Sequence, residues 1–516
     1  AGARSMAEAT LPPAAPSHRS AEHRNRVPWS YVLTVGRAAI TMLVLFVLAR
    51  LLGPHAFGVL ALALVFVLFS QVVLQNGLIA ALVQRADLDE DHLVAGFWIV
   101  LGGGTVLAVG TALIGPLWGS LIGVAGLGAV CLGLAPMVVI QALTSVPEAM
   151  LLRQGRLRTL AVCNLVAAVL AGGLGVLLAL RGAGVWALVA QQVATVGLYA
   201  VALWLATRWL PHGLPNRAAV RDLRRFSSRA AVAGAGYLIA FRAGDLVIGA
   251  FLGPAAVGAY RLARRLTETT TELAVKALQM ITLADLARLQ HDRQRAAWRY
   301  RELQHIGALL GLPALGTLAG VAAPLTGLLG PEWSDATMAL RLLCVAAVSY
   351  VFGSLLGPAL EALGRPGLLA KLAWLQGAVA VGLFALVGYQ VGKQAGSTQL
   401  LAIVAATVVV ELALTALMLH VAVRRVMGVS TWTVIAPTLP SFAGGLIAFG
   451  GVTLLQRATG GYPPLLELVV SGLAGLALAA TAVLATDRLA RGLVRRVVAR
   501  TRAAVAGPRA ARIGGG

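Results

Sequence analysis

Leu252-Gly253-Pro254-Ala255-Ala256-Val257-Gly258, continuing as Ala259-Tyr260-Arg261-Leu262-Ala263-Arg264-Arg265-Leu266-Thr267-Glu268, is the stretch on which the fold turns. Its first seven residues repeat Leu52-Gly53-Pro54-His55-Ala56-Phe57-Gly58 at an offset of 200, with five identities in seven. In a chain with 59 glycines such a match arises somewhere by chance, so its weight comes from position. Both copies follow the first apolar run of a block of six. Around them the chain of 516 residues is 59% hydrophobic and only 12% charged, against about 25% charged in ordinary soluble proteins. Roughly 20 apolar residues make a helix that crosses a bilayer. Apolar runs between charged or Gly/Pro breaks occur at 31–50, 58–84, 93–117, 120–146, 158–180, 184–206, 228–252, 256–287, 303–328, 336–361, 367–390, 397–423, 438–455 and 465–486. This composition excludes a soluble globular protein. It predicts an all-α integral membrane protein of about fourteen transmembrane helices: two six-helix lobes in parallel pseudo-repeat, then two more helices.

The eighth run is the one a hydropathy window rejects, because Arg261, Arg264, Arg265, Glu268, Glu272 and Lys276 lie within it. Counting it as a span is required by charge placement. Cytoplasmic loops of membrane proteins carry an excess of Lys and Arg. With the eighth run crossing, Arg153, Arg156 and Arg158, the arginines between 208 and 229, and Arg288, Arg293, Arg295, Arg299 and Arg301 all fall on one side, while Arg50, Arg181, Lys393 and Arg457 fall on the other. Without it every later loop reverses. The chain therefore divides into a disordered cytoplasmic tail (1–28) with no apolar core of a signal peptide, a first lobe (29–206), a basic cytoplasmic connector (207–227), a second lobe (228–424), two further spans (425–487) and a basic cytoplasmic tail (488–516). It is expected in the cytoplasmic (inner) membrane with both termini inside.

The same placement accounts for the net charge of +22 without nucleic acid. The terminal arginines Arg488, Arg491, Arg495, Arg496, Arg500 and Arg502 can also lie on anionic headgroups of membrane lipids. Cys131, Cys163 and Cys344 are far apart and inside apolar runs, which speaks against a disulfide or zinc framework. The eight histidines show no metal-ligand spacing, and neither a GxSxG elbow nor a P-loop is present. The acidic turn Asp87, Asp89, Glu90, Asp91 reads as a solvated loop. No catalytic residue, metal ligand or cofactor is assigned, and the chain is expected not to be an enzyme.

The chemistry resides in charges at membrane depth, each of which costs about 2.5–3.5 kcal/mol at a span centre on insertion scales. Arg261, Arg264, Arg265, Glu268, Glu272 and Lys276 recur every three to four residues and form one stripe on one helical face. That face cannot look at lipid. Arg242 and Asp245 on the seventh run, Arg37 on the first and Glu411 on the twelfth add to the set. Part of it can neutralise itself, Arg242 with Asp245, Arg264 with Glu268, and Glu272 with Lys276. That leaves Arg37, Arg261 and Arg265 as a cationic surplus suited to an anionic substrate, since guanidinium binds phosphate bidentately. Gln71, Gln75 and Asn76 on the second run offer hydrogen bonds to sugar, or glue between helices.

Leu48-Ala49-Arg50-Leu51-Leu52-Gly53-Pro54, then Phe57-Gly58, Asn76-Gly77-Leu78 and Ala81-Leu82-Val83-Gln84, resemble the N-terminal signature of Wzx-type polysaccharide flippases of the polysaccharide transporter group. Arg242-Ala243-Gly244-Asp245-Leu246-Val247-Ile248-Gly249, Gly258-Ala259-Tyr260 and Leu329-Gly330-Pro331-Glu332-Trp333 resemble segments of that family's second half. The resemblance, diffuse over about residues 30–425, implies the fold of the multidrug/oligosaccharidyl-lipid/polysaccharide superfamily, with two lobes in a V around a central cavity. The lipid II flippase MurJ is similar, with two extra C-terminal helices. The resemblance also implies a role: moving a polyprenyl-pyrophosphate-linked glycan to the outer leaflet by alternating access, with Arg37, Arg242 and Arg261 on the phosphates; Arg265, from the cationic surplus, is expected to join them. Asp245, Arg264, Glu268, Glu272, Lys276 and Glu411 are expected to line the cavity or couple transport to H+ or Na+. This chain is denser in charge on the eighth run than that pattern. Two competing functions are a cation-coupled multidrug exporter, which would carry an excess of carboxylate, and a membrane glycosyltransferase or polymerase, which would need a long outer loop with paired acids.

Overall fold

The computed structural model of the protein describes residues 19–71, 89–213, 251–391, 398–458 and 463–492, with positions 79, 82, 215–217, 220, 221, 248, 495, 496 and 499 besides. All regular structure among them is helical. Helix α1 (Arg19–Gln71) is bent at Gly53, whose φ of 69° and ψ of 173° suit glycine. Pro54 then opens the second arm, where its fixed φ fits the first turn and its missing N–H costs nothing. The same device recurs where Gly253, at φ 80°, precedes Pro254 at the start of the charged helix. The repeated heptapeptide is thus a helix restart, used twice.

After α1 the first half continues as α2 (Glu90–Leu121), α3 (Leu127–Arg153), α4 (Leu157–Leu180) and α5 (Val185–Thr207). α2 packs on α3, α3 and α4 on α5, and α1 on α3 and α4. The second half runs α6 (Pro254–Arg288), α7 (Arg293–Gly320), α8 (Ala322–Gly327), a tight turn at Pro331–Trp333, α9 (Ser334–Gly353), α10 (Leu356–Ala362), α11 (Pro366–Val391) and α12 (Thr398–Ala422). α6 lies against α7, α9 and α10, and α12 against α9 and α11. The halves meet where α1 packs on α6. α13 (Thr431–Ile435) leads into α14 (Leu439–Ala458) and α15 (Pro464–Thr486), which pack on each other and on α7.

Ten helices among the described residues are long and apolar enough to cross a membrane, so the chain is a multi-pass α-helical membrane protein. α6 is not one of the ten, as its charges require, yet its 35 residues span about 52 Å at 1.5 Å per residue, more than a bilayer core. The expected seventh run, 228–252, and the end of the second lie almost wholly outside the described residues. Three boundaries differ from the sequence expectation, the first being that α1 is already helical from Arg19, inside the stretch 1–28 expected as a disordered tail. The basic stretch expected as a loop at 288–302 is mostly helix, because Asp292 accepts a hydrogen bond from the Arg295 N–H at 3.0 Å and starts α7 there. Arg299 then bonds Asp285 of α6 through Nε and Nη2, at 2.8 and 2.7 Å, which ties the two helices at their junction. The tenth run is divided after Gly353 into α9 and α10.

The last two helices are held to the body by small residues. At Gly316 of α7 a Cβ would overlap the Gly445 carbonyl of α14, and one at Gly445 would lie 2.8 Å from the Leu312 carbonyl oxygen. Only glycine permits so close a backbone approach. At the far end of α15, Asp487 is 3% exposed and takes a 2.6 Å hydrogen bond from His305 of α7. Its other oxygen accepts from the Leu489 N–H at 2.8 Å and so caps the chain as it turns into the basic tail.

Candidate functional site

α6 is amphipathic in an unusual sense: its buried side carries Tyr260, Leu262, Ala263, Leu266, Val275 and Leu278, while its charges form a stripe that starts at the edge of that side with Arg264 and runs round to the exposed face. Threonines on the buried side return their hydroxyls to the helix, Thr267 to the Arg264 carbonyl and Thr271 to that of Thr267, each at 2.8 Å. Their polarity is thereby spent locally. The charged face divides lengthwise. On one flank Arg264, whose side chain is 14% exposed, lies between Glu268 and Glu411: Nε is 3.1 Å from Glu268 Oε1 and Nη1 is 3.5 Å from Glu411 Oε1. The same Nη1 donates to the Tyr260 hydroxyl at 2.7 Å, and the guanidinium sits 5.9 Å from the centre of the Tyr260 ring. Glu411, on α12, also accepts a hydrogen bond from the Ser349 hydroxyl of α9 at 3.4 Å. Through Glu411 this one cation links α6 to α12 and, by way of Ser349, to α9. Each charge is paired, as a low-dielectric setting demands.

On the other flank Arg265, Glu272 and Lys276 are exposed, and Arg261 is half-buried. Among the described residues no ion pair joins Glu272 to Lys276, so of the local pairs expected on α6 only Arg264 with Glu268 is formed. Arg37 lies on the first arm of α1, and Gln71 is its last, half-buried residue. Arg242, Asp245, Gln75 and Asn76 lie outside the described residues. Tyr260 and Ser349 were not among the expected site residues. Tyr260 is one turn before Arg264 and so could have been found from spacing, whereas Ser349 carries no sequence signal. Glu411, expected only as an isolated acid, is the partner of Arg264. Of the acidic turn, Asp89 precedes α2 and Glu90 and Asp91 lie in its first turn, where a helix N-terminus favours anions; Asp87 lies outside the described residues. Asp91 accepts a 3.1 Å hydrogen bond from the Asn216 amide in the connector.

Residues 47–338, more than half of the chain, match the model of a family described as polysaccharide biosynthesis protein. The chain belongs to that family. Among its relatives, the succinoglycan biosynthesis transport protein ExoT of Rhizobium meliloti is 26% identical over 70% of this chain and 73% of its own length. The lipopolysaccharide biosynthesis protein WzxC of Escherichia coli is 23% identical over 65% of this chain and 69% of its own. The teichuronic acid biosynthesis protein TuaB of Bacillus subtilis is 23% identical over 74% and 79%. In fold this polysaccharide biosynthesis protein is similar to the lipid II flippase MurJ in an inward closed conformation, with a TM-score of 0.64 at 11% identity over 87% of this chain and 98% of that one. An inward-facing MATE-family transporter of the MOP superfamily superposes at 0.58, with 14% identity over 83% and 99%. The chain therefore has the all-α fold of those two membrane proteins.

Proposed function

We propose that the protein is a flippase that carries a polyprenyl-(pyro)phosphate-linked oligosaccharide from the cytoplasmic to the outer leaflet of the inner membrane, for export of a cell-surface polysaccharide. The observation that carries this reading is the split face of α6. Arg265, Glu272 and Lys276 stand open on a helix of membrane length. Charges so placed avoid lipid and face a hydrated cavity. The other flank is consumed by Arg264, Glu268 and Glu411 and serves as an anchor. Membership of a polysaccharide biosynthesis family, and relatives named for succinoglycan, lipopolysaccharide and teichuronic acid biosynthesis, support a glycan cargo.

In this mechanism the headgroup phosphates meet the guanidinium groups of Arg265 and Arg261, with Arg37 and Arg242 completing the set. The polyprenyl tail stays in lipid through a lateral opening between the first and eighth spans, and the two halves then rock about the bound headgroup. Coupling to H+ or Na+ is assigned to the carboxylates Asp245, Glu268, Glu272 and Glu411: a proton on Asp245 or Glu272 changes the cavity charge, and one on Glu268 or Glu411 loosens the Arg264 anchor. The test is translocation in reconstituted vesicles with a small panel of lipid-linked sugars and a cationic dye as rival cargo. Flipping of at least one lipid-linked sugar, slowed about tenfold or more by Arg265→Ala, is the expected result, since a charge-assisted hydrogen bond contributes ~1.5–3 kcal/mol. Transport of the dye with no sugar-lipid flipped would replace this function with drug export.

A further inference from the structure

The repeated heptapeptide meets itself. At Gly58 a Cβ would overlap the Pro254 carbonyl, and at Gly258 a Cβ would overlap the Pro54 carbonyl. Each copy thus presses its glycine against the other copy's proline, a reciprocal dock between the two halves of the chain, made of backbone rather than of interlocked side chains. Beside it a second set of contacts crosses the same boundary. Trp333, 1% exposed, donates its Nε1–H to the Ala49 carbonyl at 3.1 Å. The Phe57 and Trp333 rings meet edge to face, 5.8 Å between centroids. The Arg50 guanidinium binds the Leu328 carbonyl, and the Glu332 carboxylate occupies the space a side chain at Gly53 would need.

From these contacts we infer that Pro54, Gly58, Pro254 and Gly258 form the closing seam of the transporter at one membrane face, with Trp333 as the peg that locks it. This rests on the transport function proposed above. Contacts between small residues let two helices seal closely and part again without unthreading side chains. Sealing here depends on glycine at both positions, since any larger residue holds the two helix starts apart. The seam joins the two halves at the restart points of α1 and α6, where the Gly-Pro bends allow the second arm of α1 and the whole of α6 to tilt.

A thiol reporter tests this without any cargo. Ala49, 0% exposed under Trp333, is changed to Cys in the full-length protein in sealed vesicles, and a membrane-impermeant maleimide is added to either face. Cys131 and Cys344, 0% and 3% exposed, report in the same sample on the intact fold. Expected is protection of Ala49→Cys in the otherwise native chain and a rise in labelling of about tenfold, from one face only, on adding Gly58→Leu or Gly258→Leu, with Cys131 and Cys344 still protected. Trp333→Phe, which keeps a ring but loses the N–H donor, should give a smaller rise of the same sidedness. Continued protection of position 49 in all three variants would overturn the proposal. So would labelling of Cys131 and Cys344 in step with it, because the contact would then be general packing. Bridging Phe57→Cys to Trp333→Cys with a short reducible bis-thiosulfonate should also arrest flipping, with recovery on reduction. A parent protein that flips nothing would count against the transport function alone and leave the labelling result standing.

Discussion

Arg264 shows how a mostly buried charge is tolerated among packed apolar helices. It has Glu268 one turn away on its own helix, Glu411 from α12 and the Tyr260 hydroxyl beneath it. Removing the cation leaves two carboxylates facing each other in a poorly solvated place. Breaking a buried pair from one side costs about 3–5 kcal/mol, and the partial exposure of Glu268 and Glu411, 33% and 25%, brings the expectation for Arg264→Leu to roughly 2 kcal/mol. Thermal unfolding in detergent should show this loss, and much of it should return in Arg264→Leu with both Glu268→Gln and Glu411→Gln. A triple variant no more stable than the single one would mean that the arginine is held by packing and not by charge. The pairing with Glu268 is visible in the sequence because helical geometry sets a spacing of four. Glu411 is invisible there, because its approach requires α6, α9 and α12 to be assembled first.

Among the elements, α14 and α15 are distinguished by how tightly they grip α7. Gly445 is in contact with the backbone of α7, whereas a Cβ at Gly450, in the same helix, would meet open space. Gly445→Leu should therefore lower the thermal midpoint well below that of Gly450→Leu, which carries the same propensity change but no clash. Equal midpoints would mean that α14 is not anchored through Gly445. The grip is reinforced at both ends, by the Gln456 amide on the Gly320 carbonyl at 3.1 Å and by His305 on Asp487. α7, an apolar helix that opens with Arg293, Arg295, Arg299 and Arg301, is the post to which both α6 and the terminal pair are tied.

For the whole molecule the property to be tested is sidedness, which the proposed function assigns from where the basic residues fall. α5 has 23 residues, about 34 Å of helix, enough to put its two ends on opposite faces. A cysteine introduced at Gly182, ahead of α5, and one at Asn216, beyond it, should label from opposite sides of the membrane, with position 216 on the cytoplasmic side. Labelling of position 216 from outside would overturn the assignment of the termini to the cytoplasm, and labelling of both from one side would mean that α5 does not cross.

Composition alone determined that this is a helical membrane protein, because a bilayer accepts only spans that satisfy their own backbone and hide it in apolar side chains. The Gly-Pro restarts were likewise legible, since they depend on the torsions of two adjacent residues. The helix of α6 could be argued through its charges because sidedness constrains every loop at once. Tertiary structure alone decided which half of the α6 stripe is an anchor and which stands open, and that the two heptapeptide copies press on each other. Those facts rest on the rotation and approach of helices distant in sequence. Periodicity specifies a face, but the neighbour that meets it comes only with packing.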